Sequence, residues 1–234
     1  MAKILITSGP TRQYLDPVRY LTNASSGRMG AALAAAAIAQ GHQVTVISGP
    51  VSVDYPTSAR VISVDTTDDM LAAVVEQFPQ HDGLIGAAAP CDYMPHRVHA
   101  AKIAKDGRPL TLELIETADV VATAAQNKRS HQWVVGFALE TEDQRFRAIV
   151  KMQRKCCDMM VSNGPSAINA TDNSVEIIAA DGSTLAVASG SKLEVAEAIL
   201  RAAEPLMQRG VPVCSSNEAR RSASAFPPTT LPNL

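Results

Sequence analysis

Apolar runs that suit fully buried strands alternate with stretches of helical period along almost the whole chain, and this alternation most narrows the fold. KILIT, QVTVIS, VISV, GLIGAA, LTLELI, WVVGFAL and MMVS read as strands at Lys3 to Thr7, Gln43 to Ser48, Val61 to Val64, Gly83 to Ala88, Leu110 to Ile115, Trp133 to Leu139 and Met159 to Ser162. Helices are predicted between them at Arg28 to Gln40, Asp68 to Phe78, Ala118 to Asn127 and Asp143 to Cys157, with Gly41 as the left-handed residue ending the first. Parallel strands need such crossovers, so the fold class is α/β: a Rossmann-like, mostly parallel sheet flanked by helices. Beyond Asn163 the pattern changes to SVEIIAADGSTLAVAS, a C-terminal antiparallel hairpin edge turning at Asp181-Gly182, followed by a helix from Lys192 to Gln208. With 234 residues, 46% of them hydrophobic, the chain supports one sizeable core. Residues 1–209 are expected to form a single domain, and residues 210–234, without periodicity, a disordered tail.

Several function classes lose support at once. A net charge of -2 and 4% aromatic residues give no footprint for nucleic acid. No apolar run is long enough to span a membrane and MAKILITSG is not a secretory signal, so a cytoplasmic protein is expected. Cys91, Cys156, Cys157 and Cys214 lack zinc-type spacing, in keeping with reduced thiols.

Ligands of an open parallel sheet bind where the carboxyl ends of the strands meet the loops. The first such loop, TSGPTRQYLDPVRYLTNASSGRMG, is long enough to suggest a function. Its Ser25, Ser26, Gly27 and Gly30 open a helix whose free amides and dipole favour an anion, although a plain helix cap also explains them. A nicotinamide cofactor would call for an acid after the second strand, where ISGP stands instead. GAAAPCDYMPHR offers small residues for close ligand approach, then Asp92 to orient a ligand or metal, or simply to form a turn. Cys91 reads as a small buried thiol rather than a nucleophile, and His96 and His99 as a solvated loop. Lys102 and Lys105 precede the next predicted strand, while Lys151 and Lys155 share a helix face. Together, a glycine-rich helix start, an Asp and several lysines suit a polyphosphate and its metal.

The order TSGPTRQYLDPVRYLTNASSGRMG, AAAPCDY, KIAK, GFALET, VSN and TDNSVE resembles the phosphopantothenoylcysteine synthetases, the phosphopantothenate-cysteine ligases of coenzyme A biosynthesis, over roughly residues 3 to 208. The resemblance implies a Mg2+-dependent ligase that activates the carboxylate of 4'-phosphopantothenate with CTP (or ATP), releases pyrophosphate and passes the acyl group to L-cysteine. Carried onto this chain, it places the nucleotide against Gly9, Ser25, Gly27, Gly30 and Phe137, with Asn163 nearby. Lys102 would act in acyl transfer and Lys151 and Lys155 would hold the triphosphate. Asn23, Ala88, Ala89 and Asp92 would hold phosphopantothenate, and Arg19 would reach that site in the second subunit of a homodimer. No metal ligands are assigned.

Departures from the bacterial pattern cluster around the ligand loops. AAAPCDYMP stands where AAVADYRP is usual, ETADVV keeps Asp119 without the preceding Asn-Pro, and KIAK replaces KIKK. The chain begins at the synthetase's first strand, so no flavin and a stand-alone synthetase are expected. Two rival readings remain: a nicotinamide- or flavin-binding reductase, which would carry a chromophore, and a non-catalytic nucleotide-binding relative.

Overall fold

A computed structural model describes residues 1–140, 142–163 and 172–208. In chain order the elements are β1 (Lys3–Ser8), β2 (Arg12–Asp16), β3 (Arg19–Thr22), α1 (Arg28–Ala39), β4 (Gln43–Ser48), β5 (Arg60–Ser63), α2 (Thr67–Gln77), β6 (Gly83–Gly86), β7 (Tyr93–Pro95) and β8 (Leu114–Glu116). There follow α3 (Val120–Gln126), β9 (Trp133–Leu139), α4 (Gln144–Lys155), β10 (Met159–Asn163), β11 (Asp172–Ala179), β12 (Thr184–Ser191) and α5 (Lys192–Gln208).

Eight strands form the main sheet in the order β12-β11-β10-β9-β6-β1-β4-β5. The run from β10 through β5 is parallel, and β11 and β12 close one edge antiparallel. The central strands are apolar on both faces because both are covered. In β1, Ile4 and Ile6 pack with α1 and α5, while Leu5 packs in the opposite layer with α2, α3 and α4. The Rossmann-like class, the antiparallel edge and the Asp181-Gly182 turn stand as expected from sequence, and Gly41 takes φ 81°.

Two segments differ from expectation. The loop between β1 and α1 is not structureless: β2 and β3 pair as an antiparallel hairpin, with Arg12 opposite Thr22. The strand expected at Leu110 to Ile115 does not join the main sheet. Only Leu114–Glu116 is extended, paired antiparallel with Tyr93–Pro95. Leu110, Leu114 and Ile115 are exposed, and a run alternating with Thr and Glu cannot be buried on both faces as a central parallel strand must be. The expected tail, 210–234, with Cys214, lies outside the described residues.

Helix α1 starts against β1 without clearance. A Cβ on Gly30 would lie 2.1 Å from Ser8 Oγ and 2.4 Å from Ser8 Cβ, so glycine lets the helix lie on the strand. Gly30→Ala must lift α1 off β1 and is expected to cost about 1–3 kcal/mol. Urea unfolding with an unchanged midpoint would contradict that close packing.

Candidate functional site

The segment entering α1 makes a left-handed turn at Gly27, with φ 75°, and no side chain caps the helix or places an acid in its first turn. The first amides of α1 are thus left to a ligand. From behind, Ser8 Oγ donates to the Gly27 carbonyl at 3.2 Å, and Tyr55 Oη donates to Ser8 Oγ at 2.9 Å. Opposite this turn lies the loop after β6. Ala89 N donates to Gly9 O at 2.9 Å, and Asn23 Nδ2 donates to the carbonyls of Ala89 (3.3 Å) and Pro90 (2.9 Å). Asn23 therefore spans the two loops and keeps its own carbonyl oxygen available.

A threonine clamp fixes the floor. Thr11 Oγ1 accepts from Cys91 N at 2.9 Å and bonds Thr67 Oγ1 at 2.8 Å, while Thr117 Oγ1 donates to Cys91 O at 2.6 Å. Cys91 is buried, and burial pushes its thiol up despite the contact with Thr11, so it is no nucleophile. His96 and His99 are exposed, and His96 faces Glu113.

These parts border one cavity of about 850 Å³. Of the residues singled out in the sequence, Asn23, Ser25, Gly27, Gly30, Ala88, Ala89, Asp92, Phe137, Lys151, Lys155 and Asn163 line it. Gly9 supports it from behind through Ala89. Lys102 and Arg19 do not line it: Lys102 is exposed, and Nε and Nη2 of Arg19 bond Asp16 and the Ile103 carbonyl. Asn163 Oδ1 is buried without a hydrogen-bond partner among the described residues and can accept from a ligand.

The cavity is electropositive along α4. Lys155 Nζ lies 2.8 Å from Asp119 Oδ2 and Lys151 Nζ 3.6 Å from Glu140 Oε1. Asp119 also caps α3 by accepting from Ala122 N at 2.9 Å. Burial pushes the Asp119 carboxyl up, but the hydrogen bonds from Lys155 and Ala122 outweigh it and hold it below the usual carboxylate value. Arg28, Arg154 and Lys192, which sequence reasoning did not single out, also line the cavity. Arg28 directly follows the Ser-Ser-Gly turn and was within reach of that reasoning. Lys192 arrives only because the β11–β12 hairpin folds back beside β10.

Asp92 and Glu116 also border the cavity, and Asp92 has no ion pair among the described residues. Among those residues no cluster of three or more His, Cys, Asp or Glu could hold a metal by itself. Asp92 could give one oxygen ligand to a divalent cation carried on phosphates.

A family model described as the DNA/pantothenate metabolism flavoprotein C-terminal domain matches residues 1–206. The coenzyme A biosynthesis bifunctional protein CoaBC of Vibrio vulnificus (strain CMCP6) is 38% identical over 210 residues, covering 87% of this chain and 52% of that protein. CoaBC of Bacillus subtilis (strain 168) is 40% identical over 203 residues, covering 85% and 50%. The chain thus spans about half the length of these curated relatives. The crystal structure of the C-terminal domain of CoaBC matches at a TM-score of 0.74 and 34% identity, over 88% of this chain and 95% of that one. A Cab2 mutant in complex with phosphopantothenate-cysteine shares the fold at a TM-score of 0.74 and 15% identity, over 95% and 89%.

Proposed function

The chain belongs to the family of the DNA/pantothenate metabolism flavoprotein C-terminal domain, and from that premise we propose that it joins 4'-phosphopantothenate to L-cysteine. The observation that carries this reading is the single cavity in which an uncapped, glycine-turned helix start faces Lys151 and Lys155 across loops joined by Asn23. About 850 Å³ is at the upper end of the roughly 300–1,000 Å³ typical of ligand pockets, ample for a nucleotide.

The carboxylate oxygen of phosphopantothenate attacks the α-phosphorus of CTP (or ATP), and pyrophosphate leaves with the electron pair of the broken bond. The cysteine amine then attacks the acyl carbon, loses a proton, and expels the nucleoside monophosphate. Lys151 and Lys155 neutralise the triphosphate, and the amides of α1 take a phosphate oxygen. Asn23, Ala88, Ala89 and Asp92 hold phosphopantothenate, and Phe137 and Asn163 border the nucleoside. Asp92 would help to hold Mg2+, which would supply charge neutralisation for the phosphates. Lys102 stabilises the negative charge that develops on the acyl oxygen during amide formation.

A homodimer completes this reading, with Arg19 serving the partner's phosphopantothenate site. Val18, Tyr20, Tyr93 and Leu114 leave an exposed apolar face on the two small hairpins, which supports such a contact.

Pyrophosphate release and product mass, followed with CTP or ATP in the presence and absence of L-cysteine, test the proposal. Cysteine-dependent phosphopantothenoylcysteine is the expected product, with CTP the better nucleotide. Folded protein that makes neither pyrophosphate nor product with either nucleotide would refute the ligase. Lys102→Gln is expected to slow amide formation at least about tenfold while the protein still folds. Normal turnover of that variant would remove Lys102 from the mechanism.

A further inference from the structure

Lys102 belongs to an exposed segment between β7 and β8, yet the chain beside it is tied down at two points. His99 N donates to Leu15 O at 2.9 Å, and Ile103 N donates to Asp16 Oδ2 at 3.1 Å. Arg19 Nε lies 2.9 Å from the same carboxylate oxygen, its Nη2 also bonds that oxygen, and Nη2 donates to Ile103 O at 2.8 Å. Both polar groups of the Ile103 backbone are thus satisfied by one ion pair. Residues 96–113 form no strand or helix, so Lys102 is held beside the hairpin by the Ile103 tether next to it.

Asp16 divides its work between its two oxygens. Oδ1 accepts from Val18 N (2.9 Å) and Arg19 N (3.0 Å), which shapes the turn between β2 and β3. Among the described residues, Oδ2 takes only Arg19 and Ile103. The turn itself needs an acceptor at Oδ1 and nothing more. A fully buried carboxylate is excessive for that task but suits a fixed anchor for a segment that arrives from 87 residues away.

We propose that Asp16 is a positioning residue for Lys102: its buried carboxylate clips the lysine-bearing segment to the β2–β3 hairpin through the Ile103 amide and, by way of Arg19, the Ile103 carbonyl. The inference rests on the ligase reading for the role of Lys102, whereas the clip itself is a matter of geometry. Arg19 acts here within its own subunit. In the proposed dimer, Nη1, which makes no hydrogen bond among the described residues, would be the part left to reach substrate.

Asp16→Asn separates the two duties, because an asparagine can still accept at the turn while its amide nitrogen faces the donors of Arg19 and Ile103. Exchange of the Ile103 amide should accelerate about tenfold or more, and Tm should fall by several degrees as the donors of Arg19 and Ile103 lose their acceptor, with the protein still folded. Cysteine-dependent kcat should fall about 10- to 100-fold while the nucleotide KM stays within twofold. In a Lys102→Gln background, Asp16→Asn should subtract nothing further. Asp16→Glu, which keeps the carboxylate, should recover part of the kcat loss. Unchanged Ile103 exchange in Asp16→Asn would overturn the clip, and a full additional loss in the Lys102→Gln background would overturn its action through Lys102. If the unaltered protein made no product, the ligase reading would fail, and the exchange comparison would still decide the clip.

Discussion

Replacing Lys128 with methionine is expected to destabilise the fold by about 3–5 kcal/mol, the usual cost of leaving one member of a buried ion pair alone. Lys128 and Asp158 are 1% and 6% exposed, with Lys128 Nζ 2.5 and 2.6 Å from the two carboxylate oxygens. The third ammonium donor reaches Cys156 O at 3.2 Å, so the cation is fully satisfied. Asp158 Oδ2 also accepts from Val134 N at 2.7 Å, so the pair joins the end of α4 to the start of β9 at the centre of the sheet. Methionine keeps most of the volume and removes the charge. At roughly 2–4 °C per kcal/mol for a chain of this size, Tm should fall by about 6–20 °C. Burial already pushes the Asp158 carboxyl up against the pull of Lys128. Without Lys128 it rises further, and a carboxyl raised in the folded state stabilises at low pH and loses that contribution as pH climbs through its folded value. The deficit should therefore be smallest in mild acid and largest at neutral pH. A Tm loss under about 2 °C, or a deficit that grows on acidification, would show that the pair contributes little.

The parallel core was legible because burial on both faces demands continuous apolar runs, and KILIT, QVTVIS, WVVGFAL and MMVS are such runs. LTLELI misled for a related reason: its apolar content matched a strand, but its alternation admits only one buried face. The β2–β3 hairpin was hidden because its strands are short and half-buried, and its turn depends on an Asp16 acceptor pattern that RQYLDPVRYLT does not announce. Most of the residues singled out by assigning ligands to the carboxyl ends of the strands and by the family resemblance line the cavity, and both approaches work on local sequence. Asp16's hold on Ile103 and the arrival of Lys192 depend on contacts between distant segments, which local sequence does not encode.

The double substitution Lys151→Met and Lys155→Met should weaken nucleoside triphosphate binding by about 10²–10³-fold, in line with the 2–5 kcal/mol lost when a buried charge loses its partner. Lys155 and Lys151 are 16% and 28% exposed, sheltered enough for charge to count, and each already faces one carboxylate. Glu140 and Asp119 each neutralise one of the two lysines. A triphosphate carries more charge and can displace or share these contacts, which is how a site of this kind tells triphosphate from monophosphate. Methionine removes both positive charges on one face of α4 while retaining apolar stems that pack against the helix. Asp119 would then lose the hydrogen bond that holds its carboxyl low, but it is 38% exposed at its side chain and keeps the Ala122 amide, so the fold should change little. Titration calorimetry with CTP and CMP separates the possibilities. Loss confined to the triphosphate, with Tm nearly kept, supports the assignment. Equal weakening for both nucleotides would place the lysines at the base or sugar, and undiminished CTP affinity would move the triphosphate to the α1 end of the cavity, beside Arg28 and Lys192.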